Sequence, residues 1–388
     1  VGLADYGLGL YLAALPADGA VDEGYHYWWN GACRALEAAE ILRHATGGAV
    51  DRLATSPGLR ATVGFPHRMQ LGHGWVLNIA DGQARDSGEV AWAALHRAAR
   101  RVGDGEAAAF AASRRRPGEP VAGDESELGR VLLAATDPAW VDAEPAPPPL
   151  PADVWLGSIE VRVVRPRAGS AAGLTLVVKG GHNDEHHNHN DVGEVVVAGD
   201  GVPVLVDAGR PTYTADTFGP NRYGLWMMQS RWHNVPLIRG AAQAAGRERR
   251  ASAVDVLPDG LALDLHEAYD VPGLRGWRRT ARLIDGEVLV RDVWRLVPWD
   301  GEGPEPRTLS CLLVAGAVAL RPGGAEVVPL DGATPVHLVW PTDIDAHVSP
   351  RPLDDPMLSS VWGSQLTRIE LDVTGRAALD VVVRQVEP

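Results

Sequence analysis

The sequence predicts an α+β chain of two domains, with helices first and antiparallel sheets after them, and three observations carry this. Its 388 residues are too many for one ordinary domain and few for three. From Leu3 to about Asp137, apolar residues recur at steps of three and four, the period of helices buried along one side. Beyond a proline-dense segment the pattern changes to short β-branched runs punctuated by Gly, Pro, Asp and Asn, the signature of an all-β sandwich or barrel.

The helical period is clearest in "NGACRALEAAEILRHA" and "EVAWAALHRAARRVG". Residues 1–141 are accordingly read as a helical domain. The segment "DAEPAPPPLPAD", residues 142–153, is a linker, because consecutive prolines remove the donors that a helix or a sheet ladder needs. From residue 154 to 388 follow "SIEVRVVR", "LTLVVK", "EVVVAG", "VPVLVDAG", "LALDLHEAY", "RTARLI", "EVLVRDVW", "TLSCLLVAG", "VHLVW" and "ALDVVVRQ". These read as the strands of an antiparallel β-sandwich, with a small C-terminal β subdomain expected from about residue 300.

Composition narrows the partners. A net charge of −14 without a long basic stretch argues against nucleic acid, which demands a clustered cationic surface. An acidic ligand stays compatible, since a cleft can be locally basic in an acidic protein. The apolar runs end well short of a membrane span. Cys33 and Cys311 stand alone, without CxxC spacing, so a metal would need His and carboxylate ligands. The chain opens on Val1 and shows no signal peptide. A periplasmic or secreted location is expected if one has been removed, a cytoplasmic one otherwise, and homo-oligomerisation is open.

Chemistry concentrates in "KGGHNDEHHNHNDVGEVVV", residues 179–197. In an extended segment His187, His189 and Asp191 would share one face, and His186 and Asn188 the other. Two imidazoles on one face begin a divalent-metal site, and a third ligand must come from elsewhere. Asp207, ending the apolar run of "VPVLVDAGR", and His233, in "MQSRWHNVPLIRG", are the candidates; a turn-capping Asp and a packed His are their ordinary alternatives. A rival spacing uses Gly181, His187, His189, Glu194 and Gly201 as a first cupin motif, although the second cupin motif has no counterpart. That reading makes Glu194 the ligand and leaves Asp207 out. A nuclease of the H-N-H type would need a basic surface that the chain lacks.

The ordered series "GGHNDEHHNHNDVGEVVVAGDGVPVLVDAG", "TYTADTFGPNRYGLWMMQSRWHN" and "LIRGAAQAAGRE" resembles the heparinase II/III-like polysaccharide lyases. The stretches "DGAVDEGYHYWWNGACRALEAAEIL" and "GHGWVLNIADGQA" resemble that family's toroid helices. The resemblance implies a partial α/α toroid joined to an antiparallel β-sandwich, with a substrate cleft between them. It implies that Tyr27 and His187 are catalytic, and that His189, Asp207 and His233 bind one divalent metal, most often Zn2+. Its substrate would be an acidic polysaccharide or oligosaccharide, cleaved by β-elimination at a uronic acid. Glu23, Arg222, Tyr213 and Trp232 are then candidates for the substrate cleft, and Arg222 or His187 for holding the uronate carboxylate. His186 is a possible competitor for the metal. One departure is plain: only 26 residues precede Tyr27, so the family's upstream Asn-His pair has no counterpart and the first part of the toroid is expected to be absent. A metal-braced glycan-binding protein without turnover is the alternative from a different class.

Overall fold

The computed structural model describes residues 1–86, 90–116, 118–123 and 127–386. It has three layers: helices, a nine-stranded sheet and an eight-stranded sheet. In the helix Ala32–Ala45, Ala32, Ala35, Leu36, Ala39 and Leu42 are buried, which is the three-and-four spacing seen in the sequence. The helix Trp92–Val102 buries Ala94, Leu95, Ala98 and Ala99 in the same way. Residues 143–151 lie in neither helix nor strand. No helix among the described residues is long and apolar enough to cross a membrane.

The middle layer explains why several strands are continuously apolar. In strand Val195–Gly199, Val195 and Val197 enter the core between the sheets, while Val196 and Ala198 enter the core against the helices. Strand Leu174–Lys179 divides its side chains likewise, Leu176 and Val178 to one side and Val177 to the other. Each such valine or leucine contributes roughly 1.5–3 kcal/mol on burial. A one-residue slip would exchange the two cores.

The order in the nine-stranded sheet is Ala346–Pro352, Gln365–Asp372, Leu309–Val314, Val202–Leu205, Val195–Gly199, Leu174–Lys179, Val161–Val164, Asp153–Leu156, with Pro236–Leu237 also paired to Leu309–Val314. The separate C-terminal subdomain expected from about residue 300 is not formed. Strand Leu309–Val314 pairs with Val202–Leu205 in the middle layer, and strand Ala378–Gln385 pairs with Glu287–Leu296 in the outer one. The late strands therefore complete both sheets.

The outer sheet also reaches towards the histidine-rich loop. Arg279 is buried, forms an ion pair with Asp292 at 2.7 Å, and donates to the carbonyls of Gly193 and Asn234 at 2.8 and 2.6 Å. These carbonyls belong to the segments that carry His189 and His233.

Candidate active site and metal centre

Asp81 is the hub of the site. It is fully buried and sits in a turn between the helical layer and the middle sheet. Asp81 Oδ2 accepts from His187 Nδ1 at 2.8 Å and from the Tyr213 hydroxyl at 3.1 Å. Its Oδ1 accepts from His189 Nε2 at 3.1 Å and from Arg222 Nη2 at 2.8 Å. Burial opposes ionisation of this carboxyl, but the bonds from His187, His189 and Arg222 outweigh it and hold Asp81 far below the usual carboxylate range.

Two glycines let other segments reach this turn. A Cβ on Gly24 would lie 2.7 Å from the Ile79 carbonyl oxygen, and one on Gly209 would lie 2.6 Å from that of Gly82; both glycines have positive φ. Gly24 starts the helix Tyr25–Asn30, and Gly209 follows Asp207, so the turn is approached from both sides. Asn78 Nδ2 further donates to the Asp207 carbonyl at 3.0 Å.

Around Asp81 the aromatic groups are layered. The Tyr27 ring stacks on His187 with centroids 4.2 Å apart, and its hydroxyl hydrogen-bonds that of Tyr213. Because Tyr213 gives its single proton to Asp81, the Tyr27 hydroxyl donates to Tyr213. His187 adopts a left-handed backbone with φ of 56°, an uncommon conformation for a side chain of this size, and Arg222 Nη2 fixes it through the His187 carbonyl at 2.7 Å. The bonds from His187 to Asp81 and Glu23 raise its imidazole to about 9. Glu23 Oε1 lies 3.4 Å from His187 Nε2. Burial raises the Tyr27 phenol.

Behind this layer His189, Asp207 and His233, all buried, are placed to hold a metal ion, with one potential ligand atom from each within 4.8 Å of the others. His189 Nε2 donates to Asp81, and His233 Nε2 donates to the Met227 carbonyl at 3.0 Å. Both Nδ1 atoms are buried and lack a hydrogen-bond partner. Each lies 3.7 Å from Asp207 Oδ2, close to the roughly 3.4 Å edge expected for a tetrahedron with bonds of about 2.0–2.1 Å. Asp207 Oδ1 is taken by the Gly209 amide at 2.7 Å, which aims Oδ2 at the imidazoles. Burial disfavours charge on His189, but Asp207 and Asp81 raise it to about 9; protons and a metal compete for these lone pairs.

The cupin assignment of Glu194 fits this geometry poorly. Glu194 Oε2 accepts from the Asn234 amide at 2.8 Å, and Oε1 from the Asn234 side chain, although Oε2 also lies 3.4 Å from His233 Nδ1. Asp207→Ala should therefore abolish metal retention after dialysis, measured by elemental analysis, whereas Glu194→Gln retains it. The reverse pattern would move the ligand role to Glu194.

The loop between these groups has its own brace. Lys179 Nζ contacts Asp191 Oδ1 at 2.7 Å and Glu185 Oε2 at 3.0 Å, all three side chains being buried. Asp191 is thus a partner of Lys179, and the segment forms turns rather than the extended strand assumed for alternation. His187 and His189 nevertheless converge, on opposite oxygens of Asp81. Burial raises Glu185 to about 7 despite Lys179. Its folded form therefore binds a proton more tightly than the unfolded chain, so this contribution to stability is complete below the ordinary Glu range and is lost as pH rises through about 7. Thermal melts from acidic to mildly alkaline pH should show that decline, and Glu185→Gln should flatten it; an unchanged slope would refute the assignment.

Several sequence expectations change. Arg222 does not present its guanidinium to solvent: Nε donates to the Asn188 carbonyl, Nη1 to Asp81 and Thr217, and Nη2 to Asp81 and His187. All five N–H groups are engaged, so Arg222 is a clamp and leaves no fork for a uronate. Trp232 is not brought to the Asp81 cluster; it packs on Trp226 with centroids 5.1 Å apart and beneath Arg351 and Arg368. His186 does not compete for the metal, because it turns out to solvent and meets Asp22 at 2.8 Å. Tyr27, Glu23, His187 and Tyr213 do meet. Asp81 was missed, yet "WVLNIADG" repeats the pattern of "VPVLVDAG": an apolar run delivering an Asp to a glycine turn.

No family model and no curated protein matches the chain. Solved structures do. It is similar to the heparan sulfate lyase HepC from Pedobacter heparinus, with 13% identity, a TM-score of 0.67, and coverage of 99% of this chain and 55% of that one. A mutant of the same lyase gives 14%, 0.65, 99% and 56%. A structure of heparinase III gives 13%, 0.67, 98% and 57%. The partial heparinase-like fold is shared, and the chain spans little more than half the length of these lyases.

Proposed function

We propose that this chain carries the cleaving centre of a lyase that breaks uronic-acid-containing glycans by β-elimination. The carrying observation is the stack of Tyr27 on His187, with Asp81 behind the imidazole and Tyr213 beside the phenol. The fold shared with heparan sulfate lyases supports the same reaction class. Heparan sulfate, hyaluronan, chondroitin and alginate are the substrates to try.

Elimination removes the C5 proton beside the uronate carboxyl, forms the C4–C5 double bond and expels the oxygen on C4. An enolate-like charge develops at the carboxyl and needs a cation or donors. Asp81 and Glu23 favour the charged form of His187, which suits it to hold that carboxylate and makes it a poor base at neutral pH. Proton movement then falls to Tyr27: its phenolate, with the His187 cation stacked on the ring, takes the C5 proton, and the phenol so formed gives that proton to the departing O4. A single carrier for both protons requires C5–H and C4–O on the same face of the sugar. The bound metal would be Zn2+, which two imidazoles and a carboxylate suit, and it would brace the loop that presents His187.

Growth of the ultraviolet absorbance of an unsaturated uronate on one of these glycans tests the proposal. Its absence on all of them, with metal retained, would refute it.

A further inference from the structure

A second cationic feature lies on the same face of the middle sheet. Arg351 and Leu353 lie on one side of strand Ala346–Pro352 and its extension, as do Leu366 and Arg368 on the paired strand, and Leu353 and Leu366 pack in the core beneath the helices. Past the helices, the loop between Tyr213 and His233 covers this face with Trp226 and Trp232. The Arg351 guanidinium lies 4.7 Å from the Trp226 ring centroid and 5.2 Å from that of Trp232. Arg368 lies 5.1 Å from Trp232.

The charges there do not cancel. Arg368 is paired with Glu370 at 2.9 Å. Arg351 has no carboxylate or hydrogen-bond partner among the described residues, and its Nε is buried without one. Arg231, exposed beside Trp232, has no ion pair among the described residues either. Arg351 and Arg368 thus share the Trp232 face with one paired carboxylate, Glu370, in a chain whose net charge is −14. Stacking on indole holds a guanidinium by its faces and leaves its N–H edges for a carboxylate or sulfate.

We infer that Arg351, carried on Trp226 and Trp232, is an anion-binding subsite for an acidic group on a sugar away from the bond that is cleaved. The loop supplies the connection: Arg222 holds the His187 carbonyl, the Met228 carbonyl accepts from the Asn190 amide at 3.1 Å, and Trp226 and Trp232 flank Met228. A chain lying across His187 would continue onto this surface. The inference rests on the glycan reading above, but it concerns binding and needs no turnover.

The test is calorimetric binding to the Tyr27→Phe protein, using a heparan sulfate octasaccharide, a hyaluronan octasaccharide and a heparan sulfate disaccharide. Arg351→Gln and Trp226→Ala should each weaken octasaccharide binding about ten-fold, leave disaccharide binding unchanged, and flatten the salt dependence. Arg351→Lys, which retains the charge and guards against misfolding, should recover part of the loss. A loss confined to heparan sulfate assigns the group as sulfate; a loss on both octasaccharides assigns carboxylate. Unchanged octasaccharide affinity, equal weakening of the disaccharide, or no binding of the parent to any probe would overturn the subsite. Arg351-dependent binding by a chain that cleaves nothing would keep the subsite and refute the lyase.

Discussion

Tyr27→Phe should lower kcat by about 10²–10⁴-fold on any uronate glycan that the chain cleaves, with KM and fold little changed. The substitution removes one oxygen. The phenyl ring can still stack on His187, and Tyr213 still donates to Asp81, so stability should change by no more than about 1.5 kcal/mol. A fall in kcat at constant KM is the mark of an interaction made in the transition state. Steady-state rates by ultraviolet absorbance, with a thermal melt of the same preparation, make the measurement. Activity within a few-fold of the parent would remove Tyr27 from the chemistry. Proton transfer would then have to be sought elsewhere, with Tyr213 next in line because it already contacts Tyr27.

The fold was legible where burial leaves a periodic or continuous apolar trace. The runs "LTLVVK" and "EVVVAG" are apolar throughout because the middle sheet is covered on both faces, and both form strands. Strands such as Ala346–Pro352 and Ala317–Arg321 were passed over because they lie at sheet edges and are mostly half-buried or exposed. The site was legible as a list of residue types and illegible as a set of partnerships. Nothing in "PNRYG" shows that Arg222 directs every N–H inward, since that depends on where residues far apart in sequence meet. The metal-placed triad could be proposed because a known motif orders its members along the chain. Asp81 could not, because its signal is a single carboxylate after an apolar run, and a turn-capping Asp looks the same until its partners are in place.

That carboxylate carries the other large effect. Asp81→Asn should destabilise the protein by about 3–5 kcal/mol, the range for removing one partner from a buried charged network, and should also lower kcat. The reason is donor arithmetic. The side chain receives contacts from His187 Nδ1, His189 Nε2, the Tyr213 hydroxyl and two Arg222 nitrogens, and every one of these is a donor. An amide replaces one accepting oxygen with an NH2 group, so whichever way it is flipped it sets donors against donors. If NH2 faces His187 and Tyr213, the layer that presents Tyr27 loosens. If it faces His189, the imidazole loses the acceptor that turns its Nδ1 towards Asp207, and metal retention should fall by about 10–100-fold. Denaturant unfolding, metal content and kcat measured on one preparation separate these cases, because His233 and Asp207 do not touch Asp81 and should keep residual metal affinity. Adding Arg222→Gln to Asp81→Asn should cost less than the two single changes summed, since both break one network. Strict additivity would show that Asp81 and Arg222 do not act as one network, and an Asp81→Asn protein as stable and active as the parent would show that His187 and His189 are not coupled through this residue.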